Sequence, residues 1–160
     1  MKITGTHLGI LVIALYFGAQ ACQANDIYIN QVGDSIDLTI SQAGTNNTIT
    51  GLSGGTSKAT ISGNNTSTTY NQTGDRNAVK VYMYAGNGIS KATQTGNDNE
   101  AFLDCHGNNC VLDVTQTGDD NYAAVEVGNG GDYDQSITVT QNGDDNTAIA
   151  EANGDDNTIV

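Results

Sequence analysis

Val114-Thr115-Gln116-Thr117-Gly118-Asp119-Asp120-Asn121-Tyr122-Ala123-Ala124-Val125 holds the pattern from which the chain is built. Its skeleton is Gln, any residue, Gly, two residues, Asn, then a strand of small or apolar residues. The skeleton returns at Gln42-Ala43-Gly44 with Asn47, at Gln72-Thr73-Gly74 with Asn77, at Gln94-Thr95-Gly96 with Asn99 and at Gln141-Asn142-Gly143 with Asn146. Gln31-Val32-Gly33 opens the series with Ile36 in the Asn place. A fixed internal period is the mark of a repeat architecture and governs every later reading of the chain.

The unit can be halved, because weaker copies keep the Gly and lose the Gln. Gly107 stands eleven residues from both Gly96 and Gly118, Gly63 eleven before Gly74, and Gly154 eleven after Gly143 with Asn157 in the Asn place. One coil is then two strands and two turns of roughly 22 residues, a repeat length in the solenoid range. One turn series is expected to run Gly33, Gly54 or Gly55, Gly74, Gly96, Gly118, Gly143. The other runs Gly44, Gly63, the Gly86–Gly88 region, Gly107, the Gly128–Gly131 region and Gly154, giving about six coils over 25–160.

Strand parity agrees. Side chains two apart share a face of a strand. Cys110, Leu112, Val114 and Gln116 fall on one face, as do Asn121, Ala123, Val125 and Val127, and Ile27, Ile29, Gln31, Ile36, Leu38, Ile40 and Gln42 in the first coil. Gln and Asn therefore share the apolar, inward face. Helical period fits none of this, and 20 Gly with many Thr, Asn and Asp would weaken a helix throughout. The expected fold is all-β, a β-solenoid, with the stretch near 51–69 as an irregular second coil and a bulge near Gly51-Leu52.

Residues 1–24 read as a secretory signal: Lys2, then a mostly apolar run from Leu8 to Ala19, then small residues around Ala19-Gln20-Ala21 or Cys22-Gln23-Ala24. A lipidated Cys22 is the second reading of that segment. The remaining 25–160 is one domain by size. Five Lys and Arg against 18 Asp and Glu, a net charge of −13, exclude a phosphate-rich partner such as nucleic acid. Such a charge with modest hydrophobicity is also the composition of a disordered chain. Strict period and parity argue for order in the final state.

Coils stacked ~4.8 Å apart pair their backbones, and identical amides stacked at that spacing form ladders. Gln31, Gln42, Gln72, Gln94, Gln116 and Gln141 are the expected Gln ladder, and Asn47, Asn77, Asn99, Asn121, Asn146 and Asn157 its Asn companion. Gly33, Gly44, Gly63, Gly74, Gly96, Gly107, Gly118, Gly143 and Gly154 are the expected turn glycines, supplying positive φ. Soluble-solenoid turn residues are the plain alternative. The uncapped ends, Ile27 to Ile40 and Asn157 to Val160, are open strand edges that template another chain.

Gln-x-Gly-x-x-Asn-x-Ala in tandem, best kept at QTGDRNAV from Gln72, QTGNDNEA from Gln94 and QNGDDNTA from Gln141, resembles the curlin repeat. The resemblance spans about 25–160. It implies a subunit of a bacterial extracellular amyloid (curli-like) fibre in the biofilm matrix, secreted unfolded and assembled at the cell surface, more like the major subunit than the nucleator. It implies as partners further copies of the chain, a nucleator and a secretion machinery. Departures are Ile36, the poor second coil, and Ser53, Met83, Cys105, Val127 and Ala152 where the family often has a second Gln.

Three features stand apart from the skeleton. Asp75, Asp98, Asp119, Asp120, Asp144, Asp145, Asp155 and Asp156 crowd the turn tips, where they oppose premature stacking or bind calcium. Cys105-His106-Gly107-Asn108-Asn109-Cys110 places two inward thiols across one turn, a candidate disulfide in an exported chain, with zinc as the poorer reading. No catalytic constellation, cofactor motif or metal cluster is assigned, so the chain reads as a non-enzyme. A monomeric secreted solenoid that binds calcium, ice or a surface, through threonines such as Thr48, Thr50, Thr138 and Thr140, is the competing function.

Overall fold

Residues 2–6, 9–14, 26–50, 59–128 and 134–160 are described by the computed structural model of the chain. Strand formation follows the period-two pattern in most segments between turns, where β-branched and small apolar residues alternate with polar ones, while β2, Gly9–Ala14, is apolar throughout. One sheet is built from β1 (Lys2–Thr6), β3 (Asp26–Val32), β5 (Thr48–Thr50), β6 (Ala59–Ser62), β8 (Val81–Tyr84), β10 (Ala101–His106), β12 (Ala123–Gly128) and β14 (Ala148–Ala152). The other is built from β2 (Gly9–Ala14), β4 (Ile36–Ser41), β7 (Ser67–Thr69), β9 (Ile89–Lys91), β11 (Val111–Val114), β13 (Ser136–Val139) and β15 (Thr158–Ile159). Every pairing is parallel, in the order β1-β3-β6-β8-β10-β12-β14 and β2-β4-β7-β9-β11-β13-β15. The chain is a β-solenoid. The second sheet holds seven strands against the six coils expected, because β1 and β2, in the segment read as a leader, stack on β3 and β4.

The core lies between the two sheets. Ile27, Ile29, Leu38, Ile40, Ile61, Val81, Leu103, Leu112, Val114, Val125 and Ile137 are all buried there. Tyr70 is buried too, its hydroxyl donating to Thr68 Oγ1 at 2.9 Å and accepting from Ser90 Oγ at 3.4 Å. Cys105 and Cys110 form a disulfide inside the fourth turn, with Cα atoms 6.4 Å apart, within the normal bridging range. A bridged pair has no thiolate left for a metal, which removes the zinc reading of that turn.

Turn pairing differs from the expected series. Gly33 N–H donates to Ser62 O, and Gly74 N–H to Ala43 O, so Gly33 stacks on the Gly63 turn and Gly44 on the Gly74 turn. The reason is coil length. Gln42 and Gln72 stack across 30 residues, while Gln72 to Gln94 and Gln94 to Gln116 take 22. β5 and β6 both pair with β3, separated in sequence by residues 51–58, so one interrupted coil stands where two half-repeats were counted. The bulge at Gly51-Leu52, the turn at Gly54 or Gly55, Ser53, Cys22 with the cleavage segment, and residues 129–131 lie outside the described residues.

The glycines also divide into two kinds. Among the turn glycines, only Gly33, Gly63 and Gly154 have positive φ. In the Gln-x-Gly turns the residue after Gly is left-handed, Thr45, Asp75, Asn97, Asp119 and Asp144 at φ 85°, 80°, 80°, 75° and 61°, and in three of them so is the Gln, Gln72, Gln94 and Gln116 at φ 92°, 63° and 51°. In the other turns the residue two after Gly is left-handed: Ser35, Asn65, Asn109 and Asp156 at φ 56°, 51°, 50° and 52°. Asn and Asp tolerate this region best among residues with a Cβ, which gives the acidic turn tips a backbone role.

Two measurements test this account. A Cβ on Gly107 would lie 1.7 Å from Ala85 O, whereas one on Gly74 has its nearest neighbour at 3.8 Å. Gly107→Ala is expected to cost about 4 kcal/mol or prevent folding, and Gly74→Ala to stay within about 1 kcal/mol, in denaturant unfolding. Burial raises the Tyr70 hydroxyl from 10.0 to about 12, against the pull of its bonds with Ser90 and Thr68. The unfolded chain therefore releases this proton first, and stability is expected to fall as pH rises from about 10 to 12, by roughly 3 kcal/mol for a two-unit shift. A Tyr70→Phe chain lacks that part of the alkaline loss.

Candidate functional site

The turn between the second sheet and the first is the most regular part of the molecule. A Gln placed just after the strand points inward, where it cannot reach water. Its Nε2 donates to the main-chain carbonyl six residues on: Gln42 to Thr48 at 2.9 Å and Gln116 to Tyr122 at 2.7 Å, with Gln72 to Ala78 and Gln94 to Glu100 alike. A carbonyl only accepts, so this bond fixes which amide atom is nitrogen. The second proton of each Nε2 goes to the next coil. Gln42 donates to Gln72, Gln72 to Gln94 at 2.6 Å, Gln94 to Gln116 at 2.7 Å, and Gln116 to Gln141. Gln42, Gln72, Gln94 and Gln116 are buried.

A second column runs beside it. Asn77 Nδ2 donates to Asn47 Oδ1 at 2.8 Å, Asn99 to Asn77 at 2.6 Å, and Asn121 to Asn99. The donors point back toward the first coil, opposite to the Gln column. Three buried column atoms have no hydrogen-bond partner: Gln42 Oε1, Asn47 Nδ2 and Asn121 Oδ1. An orphaned buried amide atom costs about 1–3 kcal/mol, so the column ends are places of stored demand.

Three expected members stand elsewhere. Gln31 belongs to the opposite turn, where it pairs with Ile61 and continues into Met83, Cys105, Val127 and Ala152. It occupies the second-Gln row because Gly33 stacks on Gly63. Asn146 is exposed on the last coil and bonds to the carbonyls of Gly143 and Asp144 in its own turn. Asn157 is exposed, lies in the row of Cys110 and Gln135, and bonds to Gly154 O.

Gln135, absent from the expected set, is buried and does real hydrogen-bonding: its Oε1 accepts from Cys110 N at 2.9 Å and its Nε2 donates to Gly107 O at 3.3 Å. Its place one residue before a strand, shared with Cys110 and Asn157, was the available signal. The turn tips carry exposed ladders of their own. Asp75 N–H donates to Asn97 Oδ1, Asn97 Nδ2 to Asp119 Oδ2, and Asp119 N–H to Asp144 Oδ1. Beside them Arg76 pairs with Asp98. The Asp120 carboxyl is held above the ordinary range by its hydrogen bond to Asp98, then by slight burial and by repulsion from Asp98, Asp145 and Asp119.

The columns and the opposite turn respond differently to substitution. Gln94→Leu removes four bonds and leaves Ala78 N–H and Gln116 Oε1 short of partners. It is expected to cost about 3 kcal/mol in denaturant unfolding. Gln31→Leu stacks on Ile61 in an apolar row and is expected to stay within about 1 kcal/mol.

Comparison with known proteins finds one family. The curlin-associated repeat matches residues 134–160. No curated protein and no solved structure matches the chain. The matched segment holds the Gln141-Asn142-Gly143 turn with Asn146, and the same skeleton recurs through the coils beneath it. Residues 134–160 are thus similar to the curlin-associated repeat, and the skeleton they carry is the one that builds the rest of the solenoid.

Proposed function

We propose that the chain is a structural subunit of an extracellular amyloid-like fibre of the curli kind, adding copies head to tail through the uncovered strands of its two sheets. The observation that carries this reading is the pair of one-directional amide columns with unpartnered atoms at their ends. Curlin proteins are structural subunits rather than enzymes, which accords with a chain assigned no catalytic role. Cleavage of residues 1–24 on export would strip β1 and β2 from the sheets and leave β3 and β4 as the lower edge, with β14 and β15 as the upper. Open parallel edges of this kind invite another chain, and head-to-tail contacts that do not close make filaments.

On this reading the partners are further copies of the chain, with a curli-type nucleator and secretion machinery implied by the family, and the site of action is the cell surface. Uniform columns favour the major subunit over the nucleator. A surface-binding monomer finds less support: the outward row Thr39, Thr69, Lys91, Asp113, Thr138 interrupts its hydroxyls with two charges, and Thr50 is buried.

Purified 25–160, incubated without calcium, is expected to polymerise after a lag and give fibres with a meridional reflection near ~4.8 Å. Its own fragments should shorten the lag. Added salt should shorten it too, because the stacked carboxylates Asp98, Asp120 and Asp145 repel in the assembled turn. A folded chain that stays monomeric through such an experiment would remove the fibre reading.

A further inference from the structure

The outer face of the first sheet departs from the repeat at one place. Its outward rows are Thr60, Tyr82, Asp104, Glu126, Glu151 and, beside it, Ser62, Tyr84, His106, Gly128. Below them the rows continue to Asn30 and Val32, and among the described residues only two adjacent coils carry rings in these rows, three in all. Tyr82 and His106 have centroids 5.0 Å apart, Tyr82 and Tyr84 6.2 Å, and Tyr84 and His106 6.2 Å with planes within 22°. His106 Nε2 lies 3.1 Å from Asp104 Oδ1, which holds the imidazole in place.

Tyr84 is 59% exposed. His106 covers its ring from the coil above, but the coil below offers only Ser62, too short to cover the other side. The space a larger side chain would fill is a cleft of about 350 Å³, bounded by Ser62, Gly63, Tyr84, Gly86, His106 and Asn108, with Asn64 at its rim. That volume falls in the range of small-molecule sites. Asn64 Nδ2 is held by Asp34 at 3.2 Å, which turns Asn64 Oδ1 toward Gly86, where a Cβ would approach it to 2.8 Å. The missing Cβ keeps the rim open.

Charge narrows the occupant. Neither Lys nor Arg lines the cleft, Asp104 and Glu126 flank the ring cluster, and the chain carries −13. Anions are repelled from such a face. An open aromatic face edged by hydroxyl and amide groups suits a ligand with an apolar C–H face and neutral hydroxyls around its rim, which is a pyranose ring. We propose that this cleft is a carbohydrate subsite that takes one sugar unit of a neutral polysaccharide, with Tyr84 as the stacking platform and Ser62, Asn64 and Asn108 as hydroxyl partners. The cleft lies on the side of the solenoid, away from its ends, so the site serves a monomer or a fibre equally and does not rest on the assembly reading.

Affinity electrophoresis of the folded full-length chain, run within the lag before any assembly, through gels containing hydroxyethylcellulose tests it. The chain should be retarded, and Tyr84→Ala and the slot-filling Ser62→Tyr should each weaken retardation at least tenfold while the β-sheet circular dichroism is unchanged. Tyr122→Ala, on a different turn, should behave as the parent. Absence of retardation by this glucan and by a neutral galactomannan overturns the proposal, as does a Tyr84→Ala chain that is retarded like the parent. If Tyr84→Ala instead changes only the lateral bundling of fibres, the patch is a protein contact and the carbohydrate assignment is wrong.

Discussion

Everything in this molecule depends on an amide buried between two sheets finding its partner in the coil above. Gln72 Nε2 has two protons and no water. One is satisfied within its own turn by Ala78 O, and the other only by Gln94 Oε1 on the next coil. A coil that slipped by one residue would carry its Gln to the outer face and leave the coils on either side with unmatched amides. Hydrophobic burial holds the two sheets together and opposes a slip of one residue, but an apolar row accepts a slip of two that the amides do not. The column supplies the register, and the parallel strands inherit it.

The opposite side of the cross-section solves a different problem. Facing residues across that turn are Gln31 with Ile36, Ile61 with Thr66, Met83 with Gly88, Cys105 with Cys110, and Val127 with Gln135. They share no chemistry, only a space to fill. Met83 makes the case most clearly: a Cβ on Gly88 would come within 2.5 Å of its sulfur, so the large side chain is accommodated by a bare backbone across from it. Tyr70 does the same along the second sheet, where its stack neighbour is Ala92. Uniform amides on one side and matched volumes on the other let the coils differ in sequence while keeping one height.

This division explains what could be read without a structure. The Gln42, Gln72, Gln94, Gln116, Gln141 column and the Asn47 to Asn121 column were legible because both residue type and spacing recur. The solenoid itself was legible from parity. Gln31 misled because a Gln before x-Gly looks alike on either side, and only the 30-residue coil between Gly33 and Gly63 decides which side it occupies. Gln135 was missed because the opposite turn has no residue type of its own to recognise. Asn146 and Asn157 carry the right letter, yet on the last coil no residue above restrains them and they fold back onto their own turns. The glycines were over-read: in the Gln turns the demanding conformation belongs to the following Asn, Asp or Thr, and in three of them to the Gln as well.

Direction is the remaining consequence. The carbonyls of Thr48, Ala78, Glu100 and Tyr122 fix each Gln amide with its nitrogen toward the later coil, so the column has a sense that no single coil can reverse alone. At its lower end it presents an acceptor, Gln42 Oε1, and at its upper end the amide of Gln141, whose oxygen already accepts from Gln116. Two lower ends brought together would set oxygen against oxygen, and two upper ends nitrogen against nitrogen. Gln on Gln, only an upper end meeting a lower end matches donor to acceptor, and the Asn column, with its free donor Asn47 Nδ2 beside Gln42 Oε1, obeys the same rule in the opposite sense. On the fibre reading proposed above, a polar stack of copies continues both columns with each amide on its own kind, which an antiparallel pair cannot do for either.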